Sequence, residues 1–271
     1  MSRRGVTLVE LLITLLVFGI LGTALARLMI SNSRYVSRQE TLLEARQTAR
    51  ASMNVMLPEL RMVSDGGLIA AAPDSVTIRV PYAFGVFCRN EYAVLAPPDS
   101  TVYATAIPAG IAYQLSNGLY GFSGTVTVTG TTASTSDCDA DSIRTVPGGM
   151  RITLSVSNLA PPGRLFYLYQ TVTYKFATST ALPGRLALWR HAAGDPGGPE
   201  ELLAPFDTAA RFRFLVGSRL TPQTAVPSPI STILGLELLL VGASVSPAQG
   251  QPEPTQFALQ PRVRFGNMLV P

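Results

Sequence analysis

Two residues near the N-terminus are placed for chemistry. Gly5 ends a short basic leader, Met1-Ser2-Arg3-Arg4-Gly5, and is small enough for a peptidase to accept in a tight site. Glu10 stands five residues on, and from Leu11 to Ala26 the chain carries no charge at all. A carboxylate inside an apolar segment of membrane length costs about 2.5–3.5 kcal/mol on insertion scales, so it calls for a specific partner.

Other reactive types are sparse. Cys88 and Cys138 are the only cysteines. In an exported domain they have one intramolecular pairing open to them; in a reducing compartment they would be two buried thiols. Asp137, Asp139 and Asp141 alternate as hard oxygen ligands for calcium often do, but the segment lacks the loop glycine and closing glutamate of an EF-hand. His191 is the lone histidine, and a lone loop histidine is more often a surface residue than a catalytic base. There is no Gly-x-Ser-x-Gly, no HExxH, no phosphate-binding glycine loop and no Cys/His set with zinc spacing. The expectation is therefore a protein that is not an enzyme and holds no cofactor or metal.

The elements that must position these residues begin with the apolar run itself. About 20 apolar residues span a bilayer as a helix, so the run is long enough for a membrane segment. A secretory signal peptide, with Ala24-Leu25-Ala26 as its cleavage site, and an uncleaved anchor compete for the same residues. Glu10 argues against the signal peptide, whose core of about 7–15 residues normally holds no acid. A helix apolar on all faces is also a poor core element. Arginines flank both ends, Arg3 and Arg4 before and Arg27, Arg34 and Arg38 after, so charge alone does not orient the segment.

The helical pattern continues beyond the run. Leu28, Tyr35, Leu42, Ala49, Met56 and Val63 recur every seven residues, with a polar flank (Asn32, Gln39, Arg46) that turns apolar at Met53 and Leu60. A narrow stripe followed by a broad one predicts a stem that is free at first and packs on a domain after about Arg46. Between Leu28 and Arg46, Arg34, Arg38, Glu40 and Glu44 surround the stripe and suit pairing along neighbouring stems. Pro58 should kink or restart the helix, and Ser64-Asp65-Gly66-Gly67 should end it.

The run Gly5-Val6-Thr7-Leu8-Val9-Glu10-Leu11-Leu12 resembles the processing site of type IV prepilins and type II secretion pseudopilins. The resemblance implies cleavage after Gly5 by a prepilin peptidase at the cytoplasmic face and methylation of the new Val6 amine. It also implies that Glu10 faces the amine of a neighbouring subunit during filament assembly. The head then lies outside, which favours a Cys88–Cys138 disulfide. Implied partners are the peptidase, other minor and major pilins or pseudopilins, an inner-membrane assembly platform, and inner-membrane lipid before assembly. The implied place is the bacterial inner membrane, single-pass with a periplasmic head, and afterwards a filament or its tip.

After residue 65 the sequence reads as strands. Ser75–Val80, Thr125–Thr129, Arg151–Val156 and Gln170–Phe176 alternate, with later candidates at Arg185–Arg190, Ala210–Val216, Leu234–Val241 and Thr255–Phe265. Clusters such as Pro161-Pro162-Gly163 and Pro247–Pro254 separate them. The fold expected is α+β and pilin-like: a leader over 1–5, a membrane and filament-core helix over 6–30, an amphipathic stem over 31–64, and a β-rich head over 65–271 packed on the stem.

The order of late elements, with Gly184–Arg190, Glu200–Leu203, Arg211–Phe214 and Leu234–Leu240, is similar to PilW-type minor pilins and GspJ-type minor pseudopilins. Residues 81–163 have no counterpart in that pattern. They lengthen the chain beyond a compact secretion pseudopilin, which favours a minor pilin of a type IV pilus, with a secretion pseudopilin as the alternative.

Composition agrees with a cored, turn-rich head: 47% of the 271 residues are apolar and 14% charged, with 21 prolines and 23 glycines. The net charge of +4 comes from scattered arginines, Lys175 being the single lysine. A nucleic-acid footprint needs them clustered on one element, so neither a DNA-binding module nor an adhesion domain without a filament is the favoured reading.

Overall fold

The computed structural model describes residues 8–88, 92–96, 110–124, 128–133, 138, 141–143, 149–154 and 159–266. One helix, α1 (Leu8–Met62), runs unbroken for 55 residues, about 80 Å at 1.5 Å per residue. Its polar side chains in the apolar part do not interrupt it. Thr14 and Thr23 donate their hydroxyls to carbonyls one turn back, so neither leaves an unpaired donor facing an apolar surrounding.

The helix also runs on through Pro58 to Met62, where a kink or restart was expected. The proline sits one turn from the end, where there is little helix left to redirect. The stop then follows the glycine signal. Gly66 takes φ +72°, a conformation that favours glycine, and Gly67 donates back to the Ser64 carbonyl at 2.9 Å.

Among the described residues fifteen strands follow: β1 (Leu68–Ala72), β2 (Ser75–Phe87), β3 (Tyr92–Leu95), β4 (Gly110–Gln114), β5 (Tyr120–Ser123), β6 (Val128–Ala133), β7 (Met150–Leu154), β8 (Leu165–Thr178), β9 (Leu186–Ala192), β10 (Glu200–Phe206), β11 (Arg211–Val216), β12 (Thr221–Gln223), β13 (Ile233–Pro247), β14 (Pro254–Leu259) and β15 (Arg262–Arg264). The main path is β12-β11-β13-β10-β9-β8-β2-β3-β7-β6, with β1 beside β2, β14 and β15 beside β13, and the β4–β5 hairpin beside β8. All described pairings are antiparallel, as hairpins with short turns require. The fold is α+β, a single long helix packed on an antiparallel sheet.

Period-two alternation decides which side of the sheet meets the helix. In β2, Val76, Ile78 and Val80 are buried while Ser75, Thr77 and Arg79 are half-buried. The three valine and isoleucine side chains join Val172 and Tyr174 of β8, Phe212 and Phe214 of β11 and Leu236, Leu238 and Leu240 of β13 in one core with Ala49, Met56 and Leu60 of the helix and Val63 just past its end. The buried face of α1 begins with small residues, Ala45, Thr48, Ala49 and Ser52, and only then fills out with Met56 and Leu60. Small side chains let the helix backbone approach β13 closely before larger ones fill the widening gap.

A second core lies in the unassigned middle of the sequence. β2 and β8 extend well past their expected ends, and their pairing slips at Pro81/Ala83. Beyond that slip, Ala83, Phe87, Ala93, Leu95, Ile111, Ile152, Leu154, Phe166 and Leu168 pack together with no helix residue among them. The described residues of 81–163 thus build, on the prolonged β2 and β8, a lobe whose core cluster contains no helix residue.

Several expectations need correction. The single candidate Thr255–Phe265 is two strands, β14 and β15, because Pro261 interrupts the ladder and β15 pairs with a different stretch of β13. The segment Glu200–Phe206, noted only for its order, is strand β10. Of the candidates in the middle region, Thr125–Thr127 and Ser155–Val156 fall outside the described residues.

Candidate functional site

Gly5 and Val6 fall outside the described residues. Glu10 is exposed near the start of the described part of α1. The helix around it reaches a mean hydropathy of 2.4 over 18 residues, none of them buried against the head. Leu8, Leu12, Leu16, Phe18 and Leu25 are each more than half exposed, so this surface is left for another apolar medium or for other helices.

The stem above it divides otherwise than expected. Leu28 and Tyr35 stand free, at 67% and 62% exposure, but Leu42 is half-buried. The cause is the hairpin joining β13 to β14, which climbs the stem well before Arg46. The Gln249 side chain accepts from Ser33 at 2.8 Å, the Gln249 amide donates to Ser37 at 3.0 Å, and Thr41 shares a 2.8 Å hydrogen bond with Thr255. Polar residues at intervals of four put all three contacts on one face of the helix. A groove of about 530 Å³ lies between Arg38, Gln39 and Leu42 and hairpin residues 251–256. Head contact is thus already made at Ser33, with hydrogen bonds, and reaches fully buried helix residues from Ala45 on.

Near its end the stem is locked to the sheet by ionisable groups. The Tyr174 hydroxyl donates to Glu59 Oε2 at 2.7 Å, and Arg190 Nη2 donates to Oε1 at 2.9 Å. Burial, and then the Glu59 charge, push the Tyr174 phenol well above its ordinary range. Burial opposes the Arg190 charge, but the Glu59 carboxylate outweighs it and holds the guanidinium above its usual value. One turn on, Ser64 hydrogen-bonds the Tyr167 hydroxyl, whose pKa burial pushes up to about 12. Arg79 donates to the Gly66 carbonyl and stacks on the Phe122 ring at 4.3 Å, closing the turn after the helix.

Glu237 is the most buried carboxylate described, 1% exposed in the middle of β13. Arg213 on β11 and Arg262 on β15 are its cross-strand partners and reach it at 2.7 Å from either side. Its position between two positive neighbours explains how an acid survives in an otherwise apolar strand. The sequence signal for it was a single glutamate in Leu234–Leu240 with arginines in the flanking strands.

Cys88 and Cys138 are joined by a disulfide, with Cα atoms 5.3 Å apart, and pack with Val94 against the second lobe. Of the acidic triplet, Asp137 and Asp139 lie outside the described residues; among the described residues no three His, Cys, Asp or Glu side chains are gathered as for a metal. His191 pairs across from Thr173 on β9, half-buried, and its Nδ1 has no hydrogen-bond partner.

Residues 1–26 match the family model described as the prokaryotic N-terminal methylation motif. No curated protein and no solved structure matches the chain. The match makes residues 1–26 similar to a class III signal segment; it is consistent with a type IV pilin-like protein and supports a precursor processed by a prepilin peptidase. With the exposed apolar helix behind it, the motif fits a pilin anchored in the inner membrane and handled by pilin assembly machinery.

Proposed function

We propose that this protein is a minor pilin of a type IV pilus, incorporated in the filament or priming its assembly, and that it acts by assembly rather than by catalysis. After cleavage at Gly5–Val6 the Val6 amine becomes a charged partner for Glu10 of a neighbouring subunit. In the low dielectric between packed apolar helices an unpaired charge is penalised, so amine and carboxylate set the register of the incoming subunit.

The observation that carries the minor-pilin reading is the second lobe. Its core is free of helix residues and closed by a disulfide, so it adds bulk to the head without adding to the stem. Such bulk would crowd a repeating subunit stacked on copies of itself. It is tolerated in a subunit present once, at or near a tip.

Deletion of the gene tests this reading. Loss of surface pili, with secretion intact, is the expected result, together with recovery of the chain as a scarce component of sheared filaments. Intact pili with blocked protein secretion would instead assign it to a type II secretion pseudopilus.

A further inference from the structure

We infer that the stem carries a binding site for anionic lipid headgroups, formed by Arg27, Ser31, Arg34 and Arg38, which fixes the depth of the subunit in the membrane before assembly. The inference rests on the reading of Leu8–Ala26 as membrane-embedded.

At about 100° per residue, Arg34 and Arg38 fall within about 20° of Arg27 around the helix and Ser31 within about 40°. The stem's own acids, Glu40 and Glu44, fall about 100–140° away, on another face. Arg27, Ile30, Ser31, Arg34, Tyr35 and Arg38 line a groove of about 470 Å³. No salt bridge is made by Arg27, Arg34 or Arg38 among the described residues. Arg38 also lines the neighbouring groove that holds Glu253 of the β13–β14 hairpin, but no acid lines the groove it shares with Arg27 and Arg34, so three guanidiniums on one face leave a positive strip there that a phosphate matches in charge and in fork geometry.

The place of the strip on the chain chooses a lipid as the source of that phosphate. Leu8 to Ala26 spans about 28 Å, close to the thickness of a hydrocarbon core, so Arg27 emerges at the headgroup level. Arg34 lies about 10 Å further out, but helical side chains tilt toward the N-terminus and long arginine stems reach back to the interface. Tyr35 brings a ring with a polar tip to the same zone. On the outer side the strip is bounded by the β13–β14 hairpin. Gly250, at φ +80°, lies against the Arg34 side chain there: a Cβ at that position would touch Arg34 Nε at 3.5 Å, an ordinary contact distance. The strip is therefore enclosed between the membrane surface and the head.

The test uses the full chain in nanodiscs of phosphatidylcholine, with or without about a third of phosphatidylglycerol, and a spin label on Ser31→Cys. With phosphatidylglycerol, accessibility of the label to an aqueous nickel chelate should fall by about fivefold or more, as one arginine–anionic surface contact would give. High salt, or the triple change R27Q/R34Q/R38Q, should abolish that protection. Equal accessibility in both lipids would overturn the proposal, as would protection that follows protein density and not phosphatidylglycerol, which would assign the strip to neighbouring stems. A second label on Leu16→Cys reports the membrane reading separately. If that label is open to the chelate in both lipids, the apolar run is not embedded and the site falls with it.

Discussion

Gly242 of β13 lies against the backbone of Ala45 on the helix: a Cβ at Gly242 would stand 2.2 Å from the Ala45 carbonyl oxygen and 3.1 Å from the Ala49 amide nitrogen. Neither atom can move without bending the helix, so this contact sets the distance between stem and sheet. Gly242→Val should destabilise the head by about 3 kcal/mol, the upper range for forcing volume into a packed contact. Thermal unfolding of the head freed of its membrane segment measures it; an unchanged melting temperature would show that the stem does not rest on β13 there.

The lock between Glu59, Tyr174 and Arg190 should matter less, because the two charged side chains remain about one-quarter exposed. Glu59→Gln is expected to cost about 1–2 kcal/mol, mostly through the weakened hydrogen bonds to Tyr174 and Arg190. Denaturant unfolding reads that change directly. Arg190→Gln in the same background should add little, since the two residues act as one unit.

The buried phenols predict how the head responds to alkali. Tyr167 and Tyr174 both have folded-state pKa values raised above the ordinary 10, the first to about 12. A raised pKa means the folded state holds its proton more tightly. The stability is fully present below about pH 10 and is lost as pH rises toward and through 12. Tyr167→Phe should flatten that alkaline loss while costing about 1 kcal/mol at neutral pH for the Ser64 hydrogen bond. A pH series of melting temperatures for the two proteins checks both signs.

Because the second lobe has its own core, the Cys88–Cys138 bridge should act locally. Its sequence separation of 50 residues corresponds to about 4 kcal/mol in the chain-entropy model. Cys88→Ser with Cys138→Ser should lower the protection of β3, β4 and β7 amides against hydrogen exchange, leaving β11 and β13 unchanged. Equal losses in both sets would mean that the lobe and the helix-backed core unfold as one.

Much of this fold was legible in the sequence, and the failures have physical causes. Residues 75–80 and 170–176 alternate cleanly because one face is buried against the helix, and β2 and β8 were readable for that reason. Their extensions were not. Phe166, Tyr167, Leu168 and Tyr169 are all buried, on both faces of the sheet, which erases the period of two. β10 was hidden too, as Leu202-Leu203-Ala204-Pro205-Phe206 has no alternation, although only Pro205 and Phe206 are buried. The turn at Pro247–Pro254 was plain, but its grip on Ser33, Ser37 and Thr41 is a tertiary contact between short polar side chains, which carries no local pattern. Glu10 was readable by its misfit with its surroundings, whereas Glu59 looked like any exposed helix residue.

That hairpin grip makes its own prediction. Ser33→Ala, Ser37→Ala and Thr41→Ala together remove side-chain hydrogen bonds without touching the apolar core. Amide exchange over residues 248–255 should rise, with the melting temperature of the head shifted little. A large drop in melting temperature would mean that the upper stem belongs to the domain core.

The central claim is that Gly5–Val6 is cut and that Glu10 then serves assembly. It is tested most directly by the intact N-terminal mass of the chain recovered from cells, for the native protein, Gly5→Arg and Glu10→Val. The native chain and Glu10→Val should both begin at methylated Val6, with only the native chain entering filaments, while the Gly5→Arg protein should keep its leader and stay in the membrane. A native chain that retains the leader, or an uncut Gly5→Arg protein found in filaments at the native level, would contradict the account.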